Sequence, residues 1–136
     1  MHRLALVALM ALAACSGGSP TEAPNPLVGP DESPRITLRN ATATSIAYVA
    51  AGEGTLALLD IPPTLARESY GDRLVPAGGR AAVTGIIGYS SNLGVTFYLY
   101  RVDPSTHVAH YTGFYLATAT EIARKDGVVT ITPEKL

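Results

Sequence analysis

From Arg35 onward, short runs rich in valine, isoleucine, threonine and tyrosine alternate with turns that contain glycine or proline. β-branched and aromatic residues favour strands, and turn residues at short intervals limit each strand to a few residues. The pattern therefore predicts about seven strands. The expected strands are Ile36–Asn40, Ser45–Ala51, Thr55–Ile61, Ala81–Tyr89, Gly94–Val102, His107–Thr118 and Gly127–Thr132.

Strands of this length and spacing predict an all-β fold, and we expect a small Ig-like or transthyretin-like antiparallel β-sandwich over residues 35–136. A domain of about 100 residues buries roughly two-thirds of its unfolded surface, which suffices for one core without disulfides. Thr118 and Glu121 have the spacing of a helix capping box, so one short helical turn is expected at 119–125. Residues Pro62–Gly71 lack periodicity and predict a loop, with a helical turn at Leu65–Glu68.

The segment Gly94–Thr118 predicts a hairpin with two different faces. Asp103–Thr106 suits a type I turn, and pairing Val102 with His107 places Tyr98 opposite Tyr111. The expected core face carries Val95, Phe97, Leu99, Val108, Phe114 and Leu116. The other face carries Tyr98, Tyr100, Tyr111 and Tyr115, together with Val102, His107 and Ala109. A bulge or a one-residue slip would invert these assignments.

The tyrosine-rich face is the candidate binding surface, with Tyr98, Tyr100, Tyr111 and Tyr115 as its residues. Tyrosine supplies a large contact area at low entropy cost and a hydroxyl that tolerates water, which suits a protein or glycan partner. In the alternative interpretation, the same side chains pack against the second sheet or a loop. The sequence leaves both interpretations open.

The amino terminus has the composition of an export signal. His2 and Arg3 precede Leu4–Ala14, an apolar run of eleven residues. About 20 residues are needed to span a bilayer as a helix, whereas the apolar region of a signal peptide has about 7–15. The run therefore predicts export and removal of the segment rather than a permanent membrane span.

Leu12-Ala13-Ala14-Cys15 resembles the lipobox of bacterial lipoproteins, and Cys15 is the one cysteine of the chain. The resemblance implies removal of residues 1–14 and lipidation of Cys15, and several acyl chains anchor a protein durably. Ser16 rather than aspartate follows the cysteine, which in Gram-negative lipoproteins implies sorting to the outer membrane. The alternative is a simple secretory signal with an accidental cysteine.

Residues 15–34 are expected to join the anchor to the folded domain. This segment is rich in proline, glycine and serine and contains five of the ten prolines in the chain. Dense proline disfavours regular pairing and favours extended segments. At about 3.1 Å per residue, the tether would reach roughly 60 Å.

Other motifs predict neither catalysis nor a cofactor. The net charge is −1 and no basic stripe is present, which argues against nucleic acid. Along a strand, His107 and His110 point to opposite faces and cannot share a metal ion. Gly52–Ala57 has the form of a dinucleotide loop without the following helix, and a hairpin turn is expected at 52–54 instead. Gly88–Asn92 lacks the final glycine of a nucleophile elbow.

These observations together predict a lipid-anchored protein of the bacterial cell envelope that acts as a non-catalytic binding or assembly module. One alternative is an inhibitor of an envelope hydrolase, a lysozyme or a protease, which would present Pro62–Gly71 as a protruding loop. A second alternative is a small envelope enzyme, which would bring polar groups together in a concavity.

The lipobox interpretation makes a direct prediction. Cys15→Ser should leave the fold intact but release the protein from membranes, because the atom that accepts the lipid is gone. Fractionation of cells that express each form measures the effect. Equal membrane retention of the variant and the parent would contradict the lipoprotein interpretation.

Overall fold

The computed structural model describes residues 35–90 and 92–136, so the predicted signal peptide and tether lie outside the described residues. Within them the chain is all-β, with two sheets and a few short helical segments. The strands are β1 Thr37–Asn40, β2 Ile46–Gly52, β3 Thr64–Leu65, β4 Leu74–Val75, β5 Arg80–Ala82, β6 Val95–Val102, β7 Ala109–Ala117 and β8 Val128–Ile131. The α-helices are α1 Arg67–Tyr70 and α2 Ala119–Arg124, and 3₁₀ turns occupy Glu53–Leu58 and Pro133–Lys135.

One sheet has the strand order β5-β1-β8 and the other has the order β3-β7-β6-β2-β4. The pairs are antiparallel except for β1 and β8, which run parallel. That pair departs from the antiparallel sandwich expected from the sequence. It arises because α2 follows β7 and returns the chain, so that β8 enters the smaller sheet alongside β1 in the same direction.

The main core lies between the two sheets and is apolar. The smaller sheet and the segment that leads into it contribute Ile36, Leu38, Val129 and Ile131, and the larger sheet contributes Ile46, Tyr48, Ala50, Val75, Val95, Phe97, Leu99 and Ala117. The rings of Tyr48 and Phe97 meet edge to face with centroids 6.1 Å apart. The predicted core positions Val95, Phe97 and Leu99 are thus confirmed as buried.

Asn40 ties the two sheets together at one end of this core. Its buried side-chain amide donates to the carbonyl oxygens of Thr44 at 2.8 Å and Val75 at 3.1 Å. Its Oδ1 accepts from the backbone N–H and the hydroxyl of Thr42 at 3.0 and 2.7 Å. Since Asn40 ends β1 and Val75 ends β4, this one side chain connects the smaller sheet to the larger.

Two predicted strands are replaced by other structure. Residues 53–58 form a 3₁₀ turn where a hairpin turn and a strand at Thr55–Ile61 were expected. The place beside the end of β2 is taken by Ile87, whose carbonyl accepts from Gly52 N–H at 2.8 Å. A side chain at Gly52 would lie 2.2 Å from the Gly88 carbonyl oxygen. Of the predicted strand Ala81–Tyr89, only the first residues join β5, because the chain then crosses to the other sheet.

The loop of the β6–β7 hairpin is longer than predicted, which shifts the strand register by two residues. Asp103 N–H donates to the carbonyl of Val108 at 2.9 Å, and His107 has a positive φ of 56°. Val102 consequently pairs with Ala109 rather than with His107. A two-residue shift keeps every side chain on its predicted face.

A β-bulge at Thr112 then inverts the faces for the rest of β7. Tyr100 pairs with Tyr111 but Leu99 pairs with Gly113, so Thr112 is the extra residue. Beyond it, Phe114 lies opposite Tyr98 and is 64% exposed. The prediction that Phe114 and Leu116 face the core is therefore wrong, and Val108, also expected there, lies in the hairpin loop.

The predicted capping box is present. Thr118 Oγ1 accepts from Glu121 N–H at 3.1 Å and begins α2, which confirms a short helix before the last strand. The helical turn expected at Leu65–Glu68 lies two residues later, as α1.

The two phenylalanines provide a matched test of the bulge. Phe97→Ala should lower the free energy of unfolding by about 3–5 kcal/mol, because it empties a site between the sheets. Phe114→Ala removes the same atoms from an exposed position and should change it by about 0.5 kcal/mol or less. Urea unfolding of both variants, with Ser105→Ala in the loop as a further near-neutral control, measures the difference. Equal losses at the two phenylalanines would place Phe114 back in the core.

Candidate functional site

The outer face of the five-stranded sheet brings together three of the four predicted site tyrosines. The ring of Tyr100 meets that of Tyr111, with centroids 5.5 Å apart. The ring of Tyr98 meets that of Phe114, with centroids 6.4 Å apart. Tyr115, the fourth predicted residue, lies on the opposite face of the sheet because of the bulge, and packs against the main core.

The long connection from β2 to β4 folds back over part of this face and buries Tyr100 completely. The Tyr100 hydroxyl donates to the Pro62 carbonyl at 3.0 Å, and Tyr111 N–H donates to the Pro63 carbonyl at 2.9 Å. Two residues further on, β3 pairs with the start of β7. The alternative prediction, that the tyrosines pack beneath a loop, is therefore confirmed for Tyr100.

The same contacts describe Pro62–Gly71, the segment that the inhibitor hypothesis requires as a protruding loop. Leu65 and Tyr70 are buried, and the Tyr70 hydroxyl donates to the His107 carbonyl at 2.9 Å. The segment lies against the sheet and supplies β3 and α1. No observation on these residues favours inhibition of a hydrolase.

Solvent reaches Tyr111 and Phe114, and together with Tyr98 beneath them these residues form what we call the aromatic surface. Phe114 is 64% exposed, Tyr111 is 38% exposed and Tyr98 lies beneath them at 8%. Sequence reasoning missed Phe114, because strict alternation assigned it to the core. Glycine inside a strand often marks a bulge, so Gly113 was the available signal.

Beside the aromatic surface, β7 has an edge that no strand covers in the part of the chain that the structure describes. The two-residue strand β3 pairs with β7 only at Ala109 and His110, and the Pro63 contact extends this to Tyr111. From Thr112 to Ala117, β7 pairs with β6 on its other side alone. This six-residue stretch forms the open edge.

Hydrogen-bond alternation identifies which backbone groups face outward there. Val102 N–H donates to the Ser45 carbonyl, so even-numbered residues of β6 bond towards β2 and odd-numbered ones towards β7. Phe97 and Tyr115 are therefore a hydrogen-bonded pair. It follows that Phe114 and Leu116 direct their N–H and C=O groups to the open edge.

The residues of the open edge are themselves neither charged nor proline. Native proteins protect exposed edges with charged side chains, proline or covering segments. Residues 112–117 read Thr-Gly-Phe-Tyr-Leu-Ala and contain neither charge nor proline. An uncovered and uncharged edge is a template for strand addition.

Tyr115 has a structural environment on the inner side of β7. Its hydroxyl donates to the Glu121 carboxylate, with both oxygens at 2.6 Å, and Lys135 Nζ lies 3.7 Å from the centre of its ring. Burial first, and then the Glu121 carboxylate, raises the pKa of Tyr115 to about 12. These contacts hold α2 and the C-terminal turn against β7.

A cleft of about 880 Å³ lies at the end of the larger sheet, between α1 and the neighbouring loops. Arg67, Glu68 and His107 line it with exposed side chains, and the buried Tyr70 lines it as well. No hydrogen bond joins their side chains in the described part of the chain.

Among residues 35–90 and 92–136, no group of three or more His, Cys, Asp or Glu side chains is placed to hold a metal ion. Within the same ranges, no helix has the length and apolarity to cross a bilayer. Comparison of the chain with protein-family models, curated proteins and solved structures found no match.

The buried Tyr100 hydroxyl predicts a loss of stability at alkaline pH. Burial first, and then the neighbouring Tyr111, raises the pKa of Tyr100 from 10.0 to about 12. The folded state thus retains this proton more tightly than the unfolded state does. The contribution is fully present below pH 10 and is lost as pH rises from about 10 to about 12, on the order of 2 kcal/mol in all.

Urea unfolding across this pH range should show the decline. Tyr100→Phe should lose about 1 kcal/mol near neutral pH, because the hydrogen bond to Pro62 is absent, and should decline less steeply above pH 10. Tyr111→Phe is the comparison variant, because it removes the second cause of the raised pKa of Tyr100 but leaves the Tyr100 hydroxyl buried, so it should flatten the slope less than Tyr100→Phe does. A Tyr100→Phe variant with the parent's slope would contradict this assignment.

Proposed function

We propose that this chain is a lipid-anchored protein of the bacterial cell envelope that acts as a non-catalytic binding or assembly module. Its binding site is the open edge of β7 together with the aromatic surface. Its partner is an extended segment of another envelope protein, which adds as a strand beside Thr112–Ala117.

The observation that carries this proposal is the position of Phe114. It stands mostly exposed on an uncharged strand edge, and no other described residue pairs with the backbone groups that Phe114 directs to that edge. In strand addition, main-chain hydrogen bonds supply affinity and side-chain contacts on alternate residues supply specificity. The open edge offers the main-chain hydrogen bonds, and Phe114 with Tyr111 offers the side-chain contacts.

The chemistry of the edge also limits the partner. The partner strand must present backbone N–H and C=O groups to Phe114 and Leu116, so a peptide fits where a glycan does not. Its side chains on the outer side of the sheet should be apolar or aromatic, because they would lie beside the Phe114 ring. Exposed aromatic side chains of this kind are typical anchors of protein interfaces.

Site-specific photocrosslinking in the cells that normally produce this chain tests the proposal. A photoreactive residue in place of Tyr111 should yield a discrete adduct with one envelope protein. The same residue in place of the exposed Ala123 on α2 should not. An adduct at twice the mass of the chain would identify a second copy as the occupant, in place of the proposed partner.

A pair of substitutions separates the backbone contribution from the side chain. Phe114→Ala removes only the ring and should weaken the adduct. Phe114→Pro also removes an N–H that points to the open edge rather than to β6, so the adduct should disappear while the sheet is retained. Circular dichroism checks that both variants fold. Adducts of parental yield in both would overturn the assignment of the β7 edge.

A further inference from the structure

The outer face of the three-stranded sheet carries an unusual pair of like charges. Arg39 on β1 and Arg80 on β5 are direct cross-strand partners, and both are exposed. Side chains in such positions have Cβ atoms about 4.5–5.5 Å apart, and like charges placed there destabilise a sheet. Thr130 on β8 is the other neighbour of Arg39 and carries no charge.

Arg35 extends this positive face. Ile36, Leu38 and Asn40 are buried, so alternation directs Arg35 and Arg39 outward on the same side of the sheet, about 13 Å apart. The remaining outward positions hold the short side chains of Thr37, Ala82, Val128 and Thr130. We call Arg35, Arg39 and Arg80 the arginine surface.

No acidic side chain compensates these arginines on their own sheet. Strands β1, β5 and β8 contain no aspartate or glutamate. In the described residues, the one ion pair within 4.0 Å joins Lys125 to Glu121 on α2. Among the described residues, the exposed guanidinium groups of Arg39 and Arg80 therefore have no carboxylate within 4.0 Å, although a carboxylate at either position would stabilise the pair.

We propose that the arginine surface docks on a membrane that contains anionic phospholipids, with Arg39 and Arg80 binding headgroup phosphates. A guanidinium offers a planar set of donors that matches phosphate oxygens, and two adjacent ones suit a phosphate layer. The position of the chain entry favours a membrane as the occupant. Residues 1–34 join the domain at Arg35, so the segment that carries Cys15 enters at the arginine surface itself.

Membrane proximity in the cell rests on the lipid anchor of the proposed function, but phosphate recognition by the arginines does not. A tether of about 20 residues is long enough for the domain to lie against the bilayer. With the smaller sheet on the lipid, the aromatic surface on the outer face of the other sheet is directed away from it. The two surfaces can then be occupied together.

Vesicle binding of the full-length chain with Cys15→Ser tests the proposal. No acyl group is present, so the result does not depend on whether Cys15 is lipidated. The measured quantity is the ratio of partition coefficients for vesicles of phosphatidylcholine with phosphatidylglycerol and for vesicles of phosphatidylcholine alone. Any contribution of residues 1–34, including Arg3, is common to all variants.

The double variant Arg39→Gln/Arg80→Gln should lower this ratio by roughly fivefold per arginine, about 25-fold in all. Arg67→Gln/Arg124→Gln removes the same charge from exposed positions on the two helices and should leave the ratio close to that of the parent. Equal losses in the two double variants would mean that net charge alone acts, and would overturn the proposal. An unchanged ratio in Arg39→Gln/Arg80→Gln would also overturn the proposal.

Charge reversal at one position gives a second test that misfolding cannot mimic. Arg80→Glu converts the like-charge pair into an opposite-charge pair with Arg39, so the melting temperature should rise. The preference for anionic vesicles should fall at the same time. A variant that is more stable yet retains the parental ratio would overturn the assignment to this surface. Competition with inorganic phosphate at constant ionic strength tests for a different ligand. If phosphate abolishes the ratio in the parent but not in Arg39→Gln/Arg80→Gln, the ligand is a soluble phosphate instead.

Discussion

The β-bulge at Thr112 decides which side chains of β7 meet solvent and which meet the core. The Thr112 hydroxyl donates to the Leu99 carbonyl at 3.0 Å, so the bulged residue satisfies a carbonyl of the neighbouring strand with its side chain. One extra residue rotates the second half of the strand by one face. Tyr115 then points inward to Glu121 on α2, and Phe114 points outward. Both the attachment of α2 and the aromatic surface therefore depend on this local irregularity.

The first half of β7 has a different role from the second. Up to Tyr111 it is covered by β3 and by the connection that carries Pro62, and this cover buries Tyr100 with its hydroxyl hydrogen-bonded. Beyond Tyr111 the cover ends, and the strand edge is open through Ala117 among the described residues. One strand thus supplies packing at one end and an open edge at the other, and the bulge lies at the boundary between them.

Sequence reasoning predicted the two-layer β architecture, the buried positions of β6 and the short helix at Thr118, because each depends on local pattern. It could not predict the face of Phe114, because a single inserted residue inverts alternation without changing composition. The strand expected at Thr55–Ile61 failed for a different reason. The place beside β2 is occupied by Ile87, a partner more than thirty residues away that no local pattern indicates. Of the candidate site, Tyr98 and Tyr111 were found on the correct face, and the backbone edge beside them was invisible to side-chain patterns.

The open edge and the arginine surface each carry a feature that is unfavourable for an isolated protein, and the two features differ in kind. An uncharged edge with an exposed phenylalanine lowers the solubility of the protein and leaves the edge open to the addition of another strand. Two arginines opposite each other on neighbouring strands destabilise the sheet, whereas a carboxylate in place of one of them would stabilise the strand pair. A core of some twelve buried side chains between the sheets, closed by the Asn40 hydrogen bonds, can tolerate both at once, because neither feature reaches into it. The two partners that we propose would account for surface positions that weaken the fold in chemically different ways on opposite faces. The apolar edge suits a protein strand, and the arginine surface suits phosphate.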